Sequence, residues 1–199
     1  MEPIIETNMA FVFIFLLAVA WFFLRKFSAD PFEKTLKRAM AGNAQAQYDM
    51  GYMYYQGKQV TRSYTKAFNW FDTSAKQGNV RALVALAGLY NEGKGCDKDT
   101  KKAFECYDMA AQTGDFEARV NLAVCYLQGT GTEQDTHKGA EILKQAADEK
   151  SPLAQTLLGD LYERGVGVEK DENTAMHYYL LAAKQGEPIA KKKLESRKK

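Results

Sequence analysis

Residues able to do chemistry are few in this chain and do not gather. His137 and His177 are its only histidines, and no nucleophile stands at motif spacing beside either. Cys96, Cys106 and Cys125 are odd in number and spaced neither as a metal site nor as a redox pair, so free thiols in a reducing compartment are the simplest account. Gly-x-Gly pairs begin at Gly93, Gly129 and Gly165. A dinucleotide loop would add a preceding strand and a third Gly, and a P-loop would add Gly-Lys-Ser or Gly-Lys-Thr; neither is present, and helix-ending turns explain the pairs. Asp97-Lys98-Asp99 lacks the Gly and the bidentate Glu of a calcium loop, which leaves capping and solvated charge. No cofactor, metal or catalytic group is expected. The formal charge of +2, from 27 basic and 25 acidic residues, gives no global field toward nucleic acid.

What organises the chain is self-similarity. Ala46, Ala82, Ala118 and Ala154 are each 36 residues apart, as are Met50, Leu86, Leu122 and Leu158, and then Tyr54, Tyr90, Tyr126 and Tyr162. Gly57, Gly93, Gly129 and Gly165 keep the same register, and Gly95, Gly131 and Gly167 follow two residues later. Within a copy, Ala46, Met50 and Tyr54 mark one face of a helix, which the next Gly ends. Asp99, Asp135 and Asp171 stand where a carboxylate caps a second helix, with Ser63 in that place in copy one. The unit is helix, Gly turn, helix, and stacked units share a core that none could bury alone.

Half-units flank the four copies. Phe32, Ala39 and Gly42 repeat Phe68, Ala75 and Gly78, and Asp30-Pro31 with Glu33 is a helix start. Ala190 and Leu194 repeat Ala154 and Leu158 in a truncated closing helix made basic by Lys191, Lys192 and Lys193.

Before the repeats, residues 9–24 form a run of sixteen without a charge. At 1.5 Å per residue the run covers roughly 24 Å, which flanking polar residues and snorkelling Arg25 and Lys26 extend to a single membrane span. The competing reading is a signal peptide cleaved after Ala18-Val19-Ala20. Against it, Glu2 and Glu6 but no basic residue precede the run, and Trp21 to Leu24 continue it. Arg25, Lys26, Lys34, Lys37 and Arg38 follow the span, so the positive-inside rule puts the repeats in the cytosol. The runner-up puts them on the periplasmic or lumenal side.

The chain resembles the SEL-one-like repeat family, relatives of the tetratricopeptide repeat. Copy four carries the family pattern nearly whole, as Ala154, Leu158, Gly159, Tyr162, Gly165, Gly167, Val168, Asp171, Ala175, Ala182, Ala183 and Gly186. Copy one departs most, with Gln59 for the second Gly and Ser63 for the Asp, so an irregular turn is expected there. The resemblance implies an all-α protein: a right-handed α-solenoid of about four helix-turn-helix repeats with flanking half-repeats, here preceded by one transmembrane helix. The expected divisions are a tail over 1–8, the span over 9–26, a half-repeat over 30–42, four repeats over 43–189, and a capping half-helix with a basic tail over 190–199.

The resemblance further implies an adaptor or scaffold for protein complexes, with no chemistry of its own. Some relatives are linked to β-lactam binding or hydrolysis, but Ser74, the obvious candidate serine, is followed by Ala75, Lys76 and Gln77 and no Ser-x2-Lys motif appears. In tetratricopeptide arrays the first helix of each unit lines a groove, and the equivalent positions here can be named. They are Gln45, Tyr48, Tyr52 and Tyr55; Arg81, Val84, Gly88 and Asn91; Glu117, Val120, Val124 and Leu127; and Leu153, Thr156, Asp160 and Glu163. This stripe, aromatic at one end, aliphatic in copy three and acidic at the other end, is the expected surface for a protein or peptide partner, a membrane-bound one included. Some of its Tyr and Val could instead pack between helices.

Overall fold

The computed structural model describes residues 14–19, 21 and 31–197. From residue 31 on, ten helices follow one another: α1 Pro31–Met40, α2 Ala44–Gln56, α3 Tyr64–Ala75, α4 Val80–Glu92, α5 Thr100–Ala111, α6 Phe116–Gln128, α7 Thr136–Asp148, α8 Pro152–Arg164, α9 Glu172–Lys184 and α10 Pro188–Ser196. Each copy is one pair, α2 with α3 through α8 with α9. Each helix packs most closely on its partner within the pair and next on its neighbours in sequence, which is the one-dimensional stacking of a solenoid. The flanking half-units are α1 and α10.

Most of the proposed span over 9–26 lies outside the described residues. Residues 14–19 and 21 are helical, with Ile14, Phe15, Leu16, Leu17 and Trp21 exposed. Among the described residues no helix is long and apolar enough to cross a membrane.

Caps set the helix boundaries. The four first helices start on Asn43, Asn79, Asp115 and Ser151, whose side chains accept from the backbone N–H of Ala46, Ala82, Ala118 and Ala154. The four second helices start on Ser63, Asp99, Asp135 and Asp171. Gly57, Gly93, Gly129 and Gly165 end the first helices in the left-handed conformation.

The second glycine of the turn has a separate reason. A Cβ at Gly95, Gly131 or Gly167 would stand 2.3, 2.0 or 2.1 Å from the backbone at the start of the preceding copy's second helix. Copies stack only because these glycines let two backbones touch. Gln59 takes the same left-handed conformation, with φ 64°, so the turn of copy one keeps the backbone of the others.

The periodic alanines form the inner seam: Ala46, Ala82, Ala118 and Ala154 are all fully buried. Met50, Leu86, Leu122 and Leu158 are buried beside them, each stabilising the stack by roughly 1.5–3 kcal/mol. The periodic tyrosines are half-buried, and Tyr90 and Tyr126 seal adjacent copies. Phe68 meets Tyr90, and Phe104 meets Tyr126, edge-on at 5.3 Å, while Lys66, Lys102 and Lys138 lie over the rings of Tyr54, Tyr90 and Tyr126. Polar ties close single copies: Gln77 donates to the buried Gln47 at 2.5 Å, Arg119 donates to both oxygens of Glu149, and Gln185 donates to Gln155 at 2.9 Å.

Candidate functional site: an aromatic groove

Ser74, Lys76 and the thiols are held in structural roles. Ser74 is fully buried and its hydroxyl donates to the Ala44 carbonyl at 2.6 Å, while Lys76 is paired with Asp72. Burial pushes the thiols of Cys96 and Cys125 up and that of Cys106 up to about 11, which keeps them protonated and poorly nucleophilic. His137 and His177 are exposed in different repeats. Among the described residues no group of three His, Cys, Asp or Glu is placed to hold a metal.

A groove of about 470 Å³ runs across copies one and two, closed at one side by the start of α6. Tyr48, Tyr52 and Tyr55 of α2 form one wall, and Arg81, Val84 and Gly88 of α4 form the other. Phe71 and Tyr107 close the floor, and Glu92, Asp115 and Glu117 stand at the rim. Tyr48 and Tyr52 are stacked, with centroids 6.2 Å apart, and Tyr48 leans on Phe71 at 5.6 Å. Tyr52 is 45% exposed and its hydroxyl accepts from Gln56. Tyr107 is held deep, its phenol pushed up to about 12 chiefly by burial. Asn91 approaches that phenol, and its Oδ1 is buried without a hydrogen-bond partner.

Gly88 is the odd residue of the wall. A glycine within a helix costs about 1 kcal/mol relative to alanine. At Gly51, Gly139 and Gly159 a Cβ would collide with Phe71, Leu127 and Tyr179, so packing explains them. At Gly88 a Cβ would meet nothing within 4 Å, so no packing contact accounts for this glycine, and the groove is open beside it.

The stripe expected from the sequence is therefore gathered only in part. Tyr48, Tyr52, Tyr55, Arg81, Val84, Gly88 and Glu117 share the groove, whereas Asn91 lies behind it against Tyr107. Val120 corrects the expectation: at 4% exposure it is core, clustered with Leu143, Leu158 and Leu161. Val124 is half-buried, and Leu127 packs over Gly139 within its own copy. Thr156 is also core, at 3% exposure, with its hydroxyl turned back to the Pro152 carbonyl.

Asp160 and Glu163 are not a free acidic end. Lys193 of α10 donates to Asp160 at 2.7 Å and to Glu163 at 3.0 Å, Arg197 pairs with Glu163, and the buried Tyr179 hydroxyl donates to Glu163 at 2.7 Å. The Tyr179 hydrogen bond, with those from Arg197 and Lys193, holds the Glu163 carboxyl down at about 2. The closing helix thus occupies the copy-four end of the stripe. Phe71 and Tyr107 were not anticipated, although they stand 36 residues apart at a position where Tyr179 recurs in copy four.

The Sel1 repeat family model matches residues 44–79, 80–115, 116–151 and 152–187, one match for each helix pair. The chain belongs to the Sel1 repeat family. Among solved structures it is similar to c5321, a protective antigen present in uropathogenic Escherichia coli strains and displaying an SLR fold, with 34% identity and a TM-score of 0.74 over 79% of this chain. It is also similar to a Sel1 repeat protein from Oxalobacter formigenes, with 30% identity and a TM-score of 0.76 over 80% of this chain. The chain spans 34% of the first and 63% of the second. No curated protein sequence matches it. Sel1-repeat proteins are in general protein-interaction scaffolds.

Proposed function

We propose that this Sel1-repeat protein is a membrane-tethered adaptor whose groove across copies one and two captures a protein or peptide segment on the cytosolic side. The observation that carries the reading is the groove itself: exposed tyrosine, an open helix glycine and a charged rim, with no catalytic constellation among the described residues. Aromatic side chains offer large contact area at small entropic cost, so a few can dominate an interface. The tether rests on the uncharged run at residues 9–24, and the orientation on the basic residues after it.

The test is co-purification from solubilised membranes. Tyr52 and Arg81 are both exposed, so Tyr52→Ala with Arg81→Ala should leave the melting curve near that of the wild type and reduce partner recovery about tenfold or more. Undiminished recovery by the double variant puts the binding surface elsewhere. A C-terminal fusion that reports the exterior of the membrane overturns the orientation and leaves the groove intact.

A further inference from the structure

We infer that the groove selects a partner segment bearing a Lys or Arg side chain among apolar residues, seated beside Gly88 against Tyr52, Tyr55 and Glu92. This rests on the groove being the binding surface, and it names the chemistry of what binds there.

Tyrosine rings are used as cation seats throughout this chain. Lys66, Lys102 and Lys138 lie 5.2, 5.5 and 4.3 Å from the ring centroids of Tyr54, Tyr90 and Tyr126. Copy four shows the complete arrangement. Lys193 and Arg197 stand 5.6 and 5.4 Å from the Tyr179 centroid while their charged ends pair with Asp160 and Glu163. A ring face and a carboxylate hold one cation together, each strengthening the other where water is partly excluded. By the 36-residue period Tyr52 and Gly88 occupy the place of Asp160, and Tyr55 that of Glu163.

The groove also brings a ring and a carboxylate together, but from other positions: Tyr52 and Tyr55 supply rings where copy four has its carboxylates, and Glu92 supplies the carboxylate. Among the described residues the cation–ring contacts involve Tyr54, Tyr64, Tyr90, Phe116, Tyr126 and Tyr179 and leave out Tyr52 and Tyr55, while Arg81 acts on the Tyr48 phenol at the far end of the groove. The rim carries three carboxylates against one guanidinium. Arg81 stands two helical turns before Gly88, roughly 10 Å along α4, and the acidic Glu117 shares its place in the repeat one period later. Glu92 is one turn from Gly88. Its ion pair with Lys94 is a solvent-exposed one, which an incoming cation displaces at small cost. Gly88 supplies the room, since no neighbour stands where its side chain would be.

The test uses the immobilised full chain and four pools of acetylated heptapeptides with randomised apolar flanks. Their central residue is Arg, Lys, citrulline or Glu; citrulline keeps the shape of Arg without the charge. The Arg and Lys pools should be retained about tenfold more than the citrulline and Glu pools. Glu92→Gln should narrow that preference to about twofold, and Gly88→Phe, which fills the groove from a position with open space, should abolish retention at a melting temperature no lower than that of the wild type. Equal retention of the citrulline and Arg pools, lost on Gly88→Phe, overturns the cation preference and leaves the groove standing. Preference for the Glu pool overturns it through Arg81. Retention that survives Gly88→Phe, or no retention of any pool, overturns the groove as the site.

Discussion

A Cβ at Gly159 would stand 2.8 Å from the ring of Tyr179, which is fully buried and bonded to Glu163, whereas one at Gly88 would meet only open space. Two glycines in equivalent helices should therefore respond oppositely to the same change. Gly88→Ala should stabilise by about 1 kcal/mol through helix propensity, raising the melting temperature by about 2–4 °C for a chain of this size. Gly159→Ala should destabilise by about 1–3 kcal/mol, because a ring without freedom must move. Thermal unfolding of the two variants checks both signs, and a destabilising Gly88→Ala would mean that α4 is packed more tightly than the groove geometry allows. Gly159 was legible in the sequence as a position of the family pattern. Gly88 was legible only as a position in the stripe. Its role depends on what surrounds it, and no spacing rule distinguishes a glycine that relieves a clash from one that keeps space open.

Element boundaries were legible to within a residue or two, because the 36-residue register places each Gly stop and each Asp cap. The caps of the first helices were not, since Asn43, Asn79, Asp115 and Ser151 share hydrogen-bonding ability but not identity. The stripe named from the sequence comes together at copies one and two, Gln45 and Asn91 apart, and at Glu117 of copy three. A register carried from one repeat to the next treats all copies alike, but Val120 is covered by apolar residues of its own and the following copy, and Asp160 and Glu163 by the closing helix. Departure from the pattern also has an energetic consequence. Lys150, where three copies place Gly, adopts φ 70°, a conformation that costs an L-residue about 1–2 kcal/mol. A Cβ at the equivalent Gly78, Gly114 or Gly186 would meet nothing, so no contact of the Lys150 Cβ offsets that strain. Lys150→Gly should gain about 0.5–1 kcal/mol after the greater freedom of the unfolded chain is subtracted, visible as a denaturation midpoint shifted upward at constant slope. A downward shift would show that the Lys150 side chain contributes more than the strain it imposes.

A stack of repeats is only as stable at its ends as the interface that closes them, because each unit is supported by its neighbours alone. At the C-terminal end that interface is α10, with Ala190 against Ala175, Tyr179 and Ala182, and with Lys193 and Arg197 on the acidic pair. Part of its strength is conditional on pH. Glu163 is held at about 2 in the folded chain against an ordinary value of 4.5, by the Tyr179 hydrogen bond first and then by those of Arg197 and Lys193. A carboxyl depressed on folding contributes stability that is complete above its unfolded value and is lost as pH falls toward the folded one. The Tyr179 phenol is pushed up to about 12, chiefly by burial and next by the Glu163 carboxylate, so its contribution is complete below its ordinary value of 10 and is lost as pH rises toward the folded one. The closing interface should accordingly hold from about pH 5 to 10 and weaken first on the acid side. Glu163→Gln keeps an acceptor for Tyr179 and removes the charge, so the wild type should melt above this variant at neutral pH, with the difference reduced by about half or more at pH 3. A difference that stays constant from pH 7 to pH 3 would mean that Glu163 remains as easily protonated folded as unfolded, and that α10 is held by its apolar face alone.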